Sequence, residues 1–395
     1  MSTPSRRSAS ITATLRSEDE SSVKSLELFF DLVLVLALTQ CTALMAHEPT
    51  WEGLAKGMLI LGVIWWAWVG YAWLTSVIDP EEGAVRIAIF TAMAALLVIA
   101  LCIEEAFDDD ALIFAIGYLF VRAMHIVLFV IASRDEPELR KSVVGLGVST
   151  AIGCGLILGA AFCDGEVQGA LWAAALLLDA GGPSFFGIDG WKVIPGHFAE
   201  RHGLMIIIAL GESIVAIGIG AEGLDVDAGV VLAATLGMVV VGALWWLYFD
   251  VVALVAERRL HNAAPGRERN AIARDSFSYL HFPMIAGIVL LALGLKKTLG
   301  HVEDPLDIVP AAALLGGVAM YLLAHVAFRL RNVGRFSTHR VLTALALLGF
   351  LPVAEHIHAV ALVGIVATLL VALIIYETIR FADLREKMRH ELRHP

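Results

Sequence analysis

The sequence predicts an all-α, polytopic integral membrane protein with about 12 transmembrane helices. Of its 395 residues, 58% are hydrophobic and only 17% are charged, and the mean hydropathy is +0.79. Soluble globular domains carry about 45–50% apolar and about 25% charged residues. Apolar stretches near the ~20 residues that a bilayer-crossing helix needs recur along the whole chain. This composition excludes an ordinary soluble enzyme, a disordered chain and a fibrous protein.

Polar or turn-forming residues such as Asp79-Pro80 and Asp304-Pro305 separate the apolar segments. We predict twelve spans, at residues 25–46, 53–77, 84–104, 111–132, 142–163, 168–188, 203–221, 228–253, 278–299, 308–330, 338–355 and 358–380. Residues 1–24 are rich in Ser and Thr and lack the apolar core of a signal peptide. We therefore expect a disordered cytoplasmic tail there, and a second cytoplasmic tail at 381–395.

The distribution of basic residues predicts the orientation. If the N-terminus is cytoplasmic, 24 of the 28 Lys and Arg residues fall on the inner side of the predicted spans. Only Lys56, Lys296 and Lys297 fall outside, and Arg122 lies within a span. Basic residues concentrate on the cytoplasmic side of membrane proteins. We therefore expect both termini in the cytoplasm.

Three markers recur in the same order, which predicts two parallel six-helix halves at 25–190 and 191–380. Each half carries an acid in its first span, then a Trp pair, and later a Tyr-Leu pair with a basic residue. In the first half these are Asp31, Trp65-Trp66, and Tyr118 with Arg122; in the second half they are Glu212, Trp245-Trp246, and Tyr321 with His325.

Ionisable residues inside spans are candidate functional groups, because each costs about 2.5–3.5 kcal/mol on insertion scales. Asp31 lies roughly 9 Å into the first span, one turn beyond Glu27, and Glu212 lies roughly 14 Å into the seventh. Arg122 lies near the centre of the fourth span, with His125 on the same face. A buried arginine needs a carboxylate partner, and depth favours Asp31 or Glu212. The alternative interpretation is a static ion pair that fixes helix packing.

Supporting polar residues lie near the predicted inner ends of other spans. They are Asp179 before Gly181-Gly182-Pro183, then His197, Glu200, Arg201 and His202, then Tyr279 and His281, and finally His325 in the tenth span. Gly and Pro inside a span break the helix, as in many transporters, or simply end it. His197 and Glu200 are spaced as two metal ligands, but two ligands are a weak pattern. We therefore expect no metal and no cofactor.

Three segments resemble the bacterial low temperature requirement A family. They are Glu27-Leu28-Phe29-Phe30-Asp31-Leu32-Val33, then Glu200-Arg201-His202-Gly203-Leu204 running into Ala209-Leu210-Gly211-Glu212-Ser213-Ile214, and Tyr279-Leu280-His281-Phe282-Pro283. The resemblance implies a multi-pass protein of the bacterial plasma membrane. The family is named for a growth phenotype in the cold, so the resemblance implies location and topology and no mechanism.

We expect a transporter or ion or proton pathway, with Asp31 and Glu212 as coupling acids, Arg122 as their counter-ion and His125 as a proton site. One alternative is a membrane-embedded or lipid-modifying enzyme with an inner-face site. That site would comprise His197, Glu200, Arg201, Tyr279 and His281. Another is a non-catalytic stress-adaptation protein. The expected partners are the lipid bilayer and a small ion or molecule; a homo-oligomer is compatible with the sequence, whereas the low basic content excludes nucleic acid.

Overall fold

The computed structural model describes residues 22–382, and no strand occurs in that part of the chain. Its helices are α1 (Ser25–His47), α2 (Trp51–Thr75), α3 (Gly83–Leu101), α4 (Ala111–Ala132), α5 (Pro137–Ala160), α6 (Gly165–Phe185), α7 (Pro195–Gly220), α8 (Ala228–Phe249), α9 (Val252–His261), α10 (Arg267–Ile272), α11 (His281–Gly300), α12 (Ile308–Val333), α13 (Thr338–Gly349) and α14 (Ala359–Arg380). A π-helical segment, Ala273–Tyr279, precedes α11, and a 3-10 segment, Leu351–His356, follows α13. The two predicted tails lie outside the described residues except at 22–24 and 381–382.

Ten helical segments within residues 22–382 are long and apolar enough to cross a membrane, which confirms the predicted all-helical membrane protein. The predicted spans 168–188 and 338–355 are not among the ten. The first corresponds to α6, a 21-residue helix whose apolar character is reduced by Asp179 and the Gly-Gly-Pro sequence after it. The second is divided between the 12-residue α13 and the 3-10 segment.

Local sequence signals set several helix ends. The Thr50 hydroxyl accepts a hydrogen bond from the N–H of Gly53 at the start of α2, and Asp227 caps α8 in the same way. Pro195 occupies the first turn of α7, where its missing N–H does no harm. Gly334 ends α12 with a φ of 67°, in the left-handed region that favours glycine.

Helix α11 lies in the interior and packs against α1, α7 and α12. Its contact with α12 depends on small residues, because a Cβ added at Gly317 would lie only 2.6 Å from the carbonyl oxygen of Gly287. Small residues let membrane helices approach closely. Helix α1 contacts α2, α3, α7 and α11. Its acids are therefore placed beside α7.

Helix α13 and the 3-10 segment after it run antiparallel to α14. Arg340 near the start of α13 bonds Glu377 near the end of α14. At the opposite end, the N–H of Ala359 donates to the Asp304 carbonyl at 2.9 Å, in the connection between α11 and α12. The segment from α13 through the 3-10 turn thus traverses the same distance as α14.

Candidate functional site

Helices α1, α2 and α7 bring together a buried group that we call the Asp31 cluster: Glu27, Asp31, Thr75, His197 and Arg201. Arg201 pairs with Asp31, lies 3.5 Å from Glu27 Oε1, and donates to Thr75 Oγ1 at 3.0 Å. His197 Nε2 lies 2.8 Å from Glu27 Oε1. All five side chains are buried. The sequence predicted a buried Asp31, but its partner is the arginine at the entrance of α7.

Trp68 of α2 extends the Asp31 cluster. Its indole N–H donates to Asp31 Oδ1 at 2.8 Å, and the Arg201 guanidinium lies 5.5 Å from its ring. Asp31 is therefore held by the charge of Arg201 and by the Trp68 hydrogen bond. The cation–π contact fixes Arg201 against Trp68, and the cluster joins α1 to α7.

A second buried network joins α4, α5 and α6. Arg122 Nη2 lies 2.9 Å from Asp179 Oδ1 and 2.9 Å from Thr150 Oγ1. The Thr150 hydroxyl donates to Asp179 Oδ1 at 2.7 Å, and the Tyr118 hydroxyl donates to Oδ2 at 3.2 Å. Asp179 thus receives three buried donors, and the expectation that Arg122 has a carboxylate partner is confirmed.

The partner itself was predicted wrongly. Depth favoured Asp31 or Glu212 for Arg122, whereas the structure places Asp179 there. The reason is that α6 packs closely on α5, which places Asp179 beside Thr150. Thr150 is itself a partner of the Arg122 guanidinium.

His125 lies one turn beyond Arg122 and is fully buried. Neither of its ring nitrogens has a hydrogen-bond partner among the described residues. The ring packs against Gly70 of α2, where an added Cβ would lie 2.8 Å from His125 Cε1 and 2.9 Å from Arg122 Nη1. Gly70 therefore permits the close approach of α2 and α4.

Glu212 differs from the other buried acids. The buried carboxylates of residues 22–382 are Glu27, Asp31, Asp179, Glu212 and Glu377. The other four have an arginine within 4.0 Å. Glu212, which is 1% exposed, instead accepts a hydrogen bond from the Thr39 hydroxyl of α1 at 2.5 Å. Within residues 22–382 no cationic group lies within 4.0 Å of it, and the positive charge that acts on it from a longer distance is Lys296.

A third ion network lies between α12, α13 and α14. Arg340 makes two hydrogen bonds of 2.8 Å to Glu377. His325 Nδ1 lies 2.7 Å from Arg340 Nη1, and His339 Nε2 lies 2.7 Å from Glu377 Oε1. The contact with Arg340 explains why the polar His325 occurs in an otherwise apolar helix.

The other predicted histidines pack among aromatic rings. His281 Nδ1 lies 3.0 Å from the Ser276 carbonyl, so this nitrogen carries the proton and Nε2 accepts from the Tyr248 hydroxyl at 2.8 Å. His202 Nδ1 donates to the Phe198 carbonyl at 2.8 Å. The rings of His202 and His281 are 5.2 Å apart. Both side chains are 0% exposed, so they lie in the protein interior.

The inner-face residues of the enzyme alternative do not form one site. Glu200 is exposed, whereas His197 points into the Asp31 cluster. The Tyr279 hydroxyl donates to the Ala180 carbonyl at 2.6 Å, and its ring stacks on Trp66 at 5.6 Å. Over residues 22–382, no group of three or more His, Cys, Asp or Glu side chains could hold a metal ion.

Sequence reasoning missed several partners. Arg340 and Glu377 lie in predicted spans, so the rule that flagged Arg122 could also have found them. Thr39 and Thr150 give no such signal, because hydroxyl residues are common in membrane helices and usually bond their own backbone.

Comparisons with known proteins match most of the chain to one family. A family model described as Bacterial low temperature requirement A protein (LtrA) matches residues 22–375. A protein of Rhizobium meliloti (strain 1021), described as uncharacterized, is 27% identical over 324 residues, which make up 78% of this chain and 78% of the relative. No solved structure matches the chain. The matched region contains Asp31, Arg122 and Glu212.

Proposed function

Since the chain belongs to the bacterial low temperature requirement A family, we propose that it is a plasma-membrane transport protein that moves a proton or a small cation. Glu212 is the carboxyl that binds the cargo in this proposal. It is the best candidate because it is the buried acid in residues 22–382 that lacks an ion-pair partner.

A carboxylate buried without a direct ion pair is costly, since no positive charge in contact with it offsets its desolvation. A proton or cation bound to Glu212 removes that cost. Burial of the Glu212 carboxyl is therefore more favourable when the cargo is bound than when it is absent. This coupling is what an alternating transport site requires, because the loaded carboxyl is stable in the interior and the empty one favours contact with water.

The neighbouring hydroxyl can serve both forms of Glu212. Thr39 Oγ1 lies 2.5 Å from Glu212 Oε2 and 3.1 Å from the Val35 carbonyl oxygen. A hydroxyl carries one proton and two lone pairs. It can donate to a charged Glu212, or it can donate to Val35 and accept the proton of a neutral Glu212. A small rotation of Thr39 therefore accommodates either state.

The other predicted coupling residues take supporting roles in this proposal. Asp31 is held by Arg201 and Trp68, and Arg122 is held by Asp179. These pairs keep α1 against α7 and α4 against α6 while the cargo passes. His125 remains a candidate proton site because its nitrogens have no partner among the described residues.

We also propose that the chain crosses the membrane twelve times in two parallel six-helix halves, with both termini in the cytoplasm. The neighbour pattern supports the repeat. Six helix contacts in the first half have a counterpart in the second half. The matching pairs are α1–α2 with α7–α8, α1–α3 with α7–α11, α3–α4 with α11–α12, α4–α5 with α12–α13, α5–α6 with α13–α14, and α2–α6 with α8–α14. Tags fused to the two ends should be cleaved by protease only in inverted vesicles; cleavage of either tag in right-side-out vesicles would contradict this topology.

The test of the transport proposal is flux in proteoliposomes. Wild-type protein should move protons or a monovalent ion, followed with a pH-sensitive dye and a panel of cations. Glu212→Gln should lower the rate at least about tenfold, because the amide cannot bind or release the charge. Glu222→Gln, which changes an exposed acid just after the same helix, should match wild type. Folded wild-type protein without flux, or full flux in Glu212→Gln, would refute the proposal.

A second candidate is a non-transporting stress-adaptation protein in which the buried charges only specify packing. The observation that favours it is that four of the five buried acids in residues 22–382 have an arginine partner. A charge exchange separates the two ideas. Arg122→Asp combined with Asp179→Arg preserves the pair. If Glu212→Gln and the exchanged protein both support normal growth in the cold, the packing role is favoured.

A further inference from the structure

A cavity of about 140 Å³ lies at the ends of several helices. Its walls are the residues after α2, the segment 191–194 before α7, and the segment 265–270 around the start of α10. About 10–15 Å³ suffices for one water molecule by the same measure, so this cavity has room for a small polyatomic ion. We call it the Arg269 cavity.

The charged side chains that line the Arg269 cavity, within the part of the chain that is described, are both basic. Lys192 Nζ lies 2.5 Å from Glu136. Arg269 has no carboxylate within the described residues: its Nη2 donates to the carbonyls of Ala263 at 3.3 Å and His261 at 3.5 Å, and its Nε has no partner. The cavity thus carries one positive charge that the described side chains leave uncompensated.

A second unpartnered donor belongs to a residue of the cavity wall. Trp191 lines it, and the indole N–H of this residue has no hydrogen-bond partner among residues 22–382. The ring is fixed edge-on by Trp73 at 5.4 Å and Phe129 at 4.9 Å. The Asn270 amide donates to the Trp191 carbonyl at 2.7 Å and so holds the backbone segment in place. The donor position is therefore set by packing on both sides.

From these observations we propose that the Arg269 cavity binds a small oxyanion, a phosphate or carboxylate group. Arg269 supplies the charge and the Trp191 indole N–H a directed hydrogen bond, with Lys192 at the rim. Guanidinium groups suit phosphate and carboxylate because their N–H groups lie in one plane and can bond two oxygens. The same chemistry occurs in free phosphate and in the headgroup of an anionic lipid. The site is separate from Glu212 and does not depend on the proposed transport.

The test is equilibrium dialysis of radiolabelled inorganic phosphate against the full-length protein in nanodiscs of neutral lipid. Wild type should bind about one phosphate per chain, with millimolar or tighter affinity. Arg269→Gln should weaken binding about tenfold or more, since a charge-assisted hydrogen bond is lost. Trp191→Phe keeps the aromatic packing and should weaken binding less. Arg267→Gln changes an exposed arginine two residues away and should bind like wild type.

Anionic lipid distinguishes the two sources of the oxyanion. If nanodiscs containing phosphatidylglycerol suppress phosphate binding to wild type, the headgroup occupies the cavity; if they do not, the ligand is a soluble ion. Either result supports the site when Arg269→Gln abolishes it. Absence of saturable binding in neutral lipid, or equal binding by wild type, Arg269→Gln and Trp191→Phe, would overturn the proposal. Size-exclusion profiles establish that each variant is folded.

Discussion

Replacing Asp179 with alanine should destabilise the protein by about 3–5 kcal/mol, because it leaves the buried Arg122 guanidinium without a counter-ion. The two side chains are 1% and 4% exposed, and Arg122 Nη2 lies 2.9 Å from Asp179 Oδ1. In the described chain no other carboxylate pairs with Arg122. Because both side chains are almost completely buried, most of the cost of an unpaired buried ion should be measured.

The loss of an acceptor for two hydroxyl groups adds to the free energy that Asp179→Ala costs. Thr150 and Tyr118 both donate to Asp179, and an unsatisfied buried donor costs about 1–3 kcal/mol. Thr150 can rotate toward its own backbone, so its cost is largely avoidable. Asp179→Asn retains an acceptor oxygen and should therefore cost less than Asp179→Ala.

The assay is reversible unfolding in mixed SDS and neutral-detergent micelles, arranged as a double-mutant cycle with Arg122→Met. The double variant Arg122→Met with Asp179→Ala closes the cycle. Outside the cycle, Arg122→Met with Asp179→Leu should regain most of the lost stability, because apolar replacements of buried pairs are often neutral. Asp135→Ala, at an exposed acid, should change stability by no more than about 0.5 kcal/mol. A loss below about 1 kcal/mol for Asp179→Ala, the value of an exposed pair, would refute the reasoning.

Two further predictions use the same unfolding assay. Gly70→Ala should cost about 1–3 kcal/mol by overpacking, because its Cβ would lie 2.8 Å from His125 Cε1, whereas Gly155→Ala meets nothing within 4 Å and should cause no loss. Tyr248→Phe should cost about 1 kcal/mol, because it removes the hydroxyl that donates to His281 Nε2 at 2.8 Å; an unchanged free energy of unfolding would show that this bond is not formed.

Most helices could be predicted from the sequence because a membrane-spanning helix is recognised by its local composition. An apolar run near 20 residues has few alternatives to a helix once it enters a bilayer. The helical segments that did not qualify as spans, α6 and α13, are those where the composition is mixed: α6 carries Asp179, Gly181, Gly182 and Pro183, and α13 has only 12 residues. Packing on α5 keeps α6 helical where the local sequence suggested a break.

The sequence by itself identified three of the buried charged residues. Asp31, Arg122 and Glu212 lie in apolar segments, and a helix in a bilayer leaves them no water. Only the tertiary structure decided their partners. Arg201 is 170 residues from Asp31, and Asp179 is 57 residues from Arg122. Helical periodicity fixes depth and face within one helix, but it does not specify which helices become neighbours. The tertiary packing places a hydroxyl beside Glu212 instead of an arginine. This unpaired carboxyl is the group on which the proposed function rests.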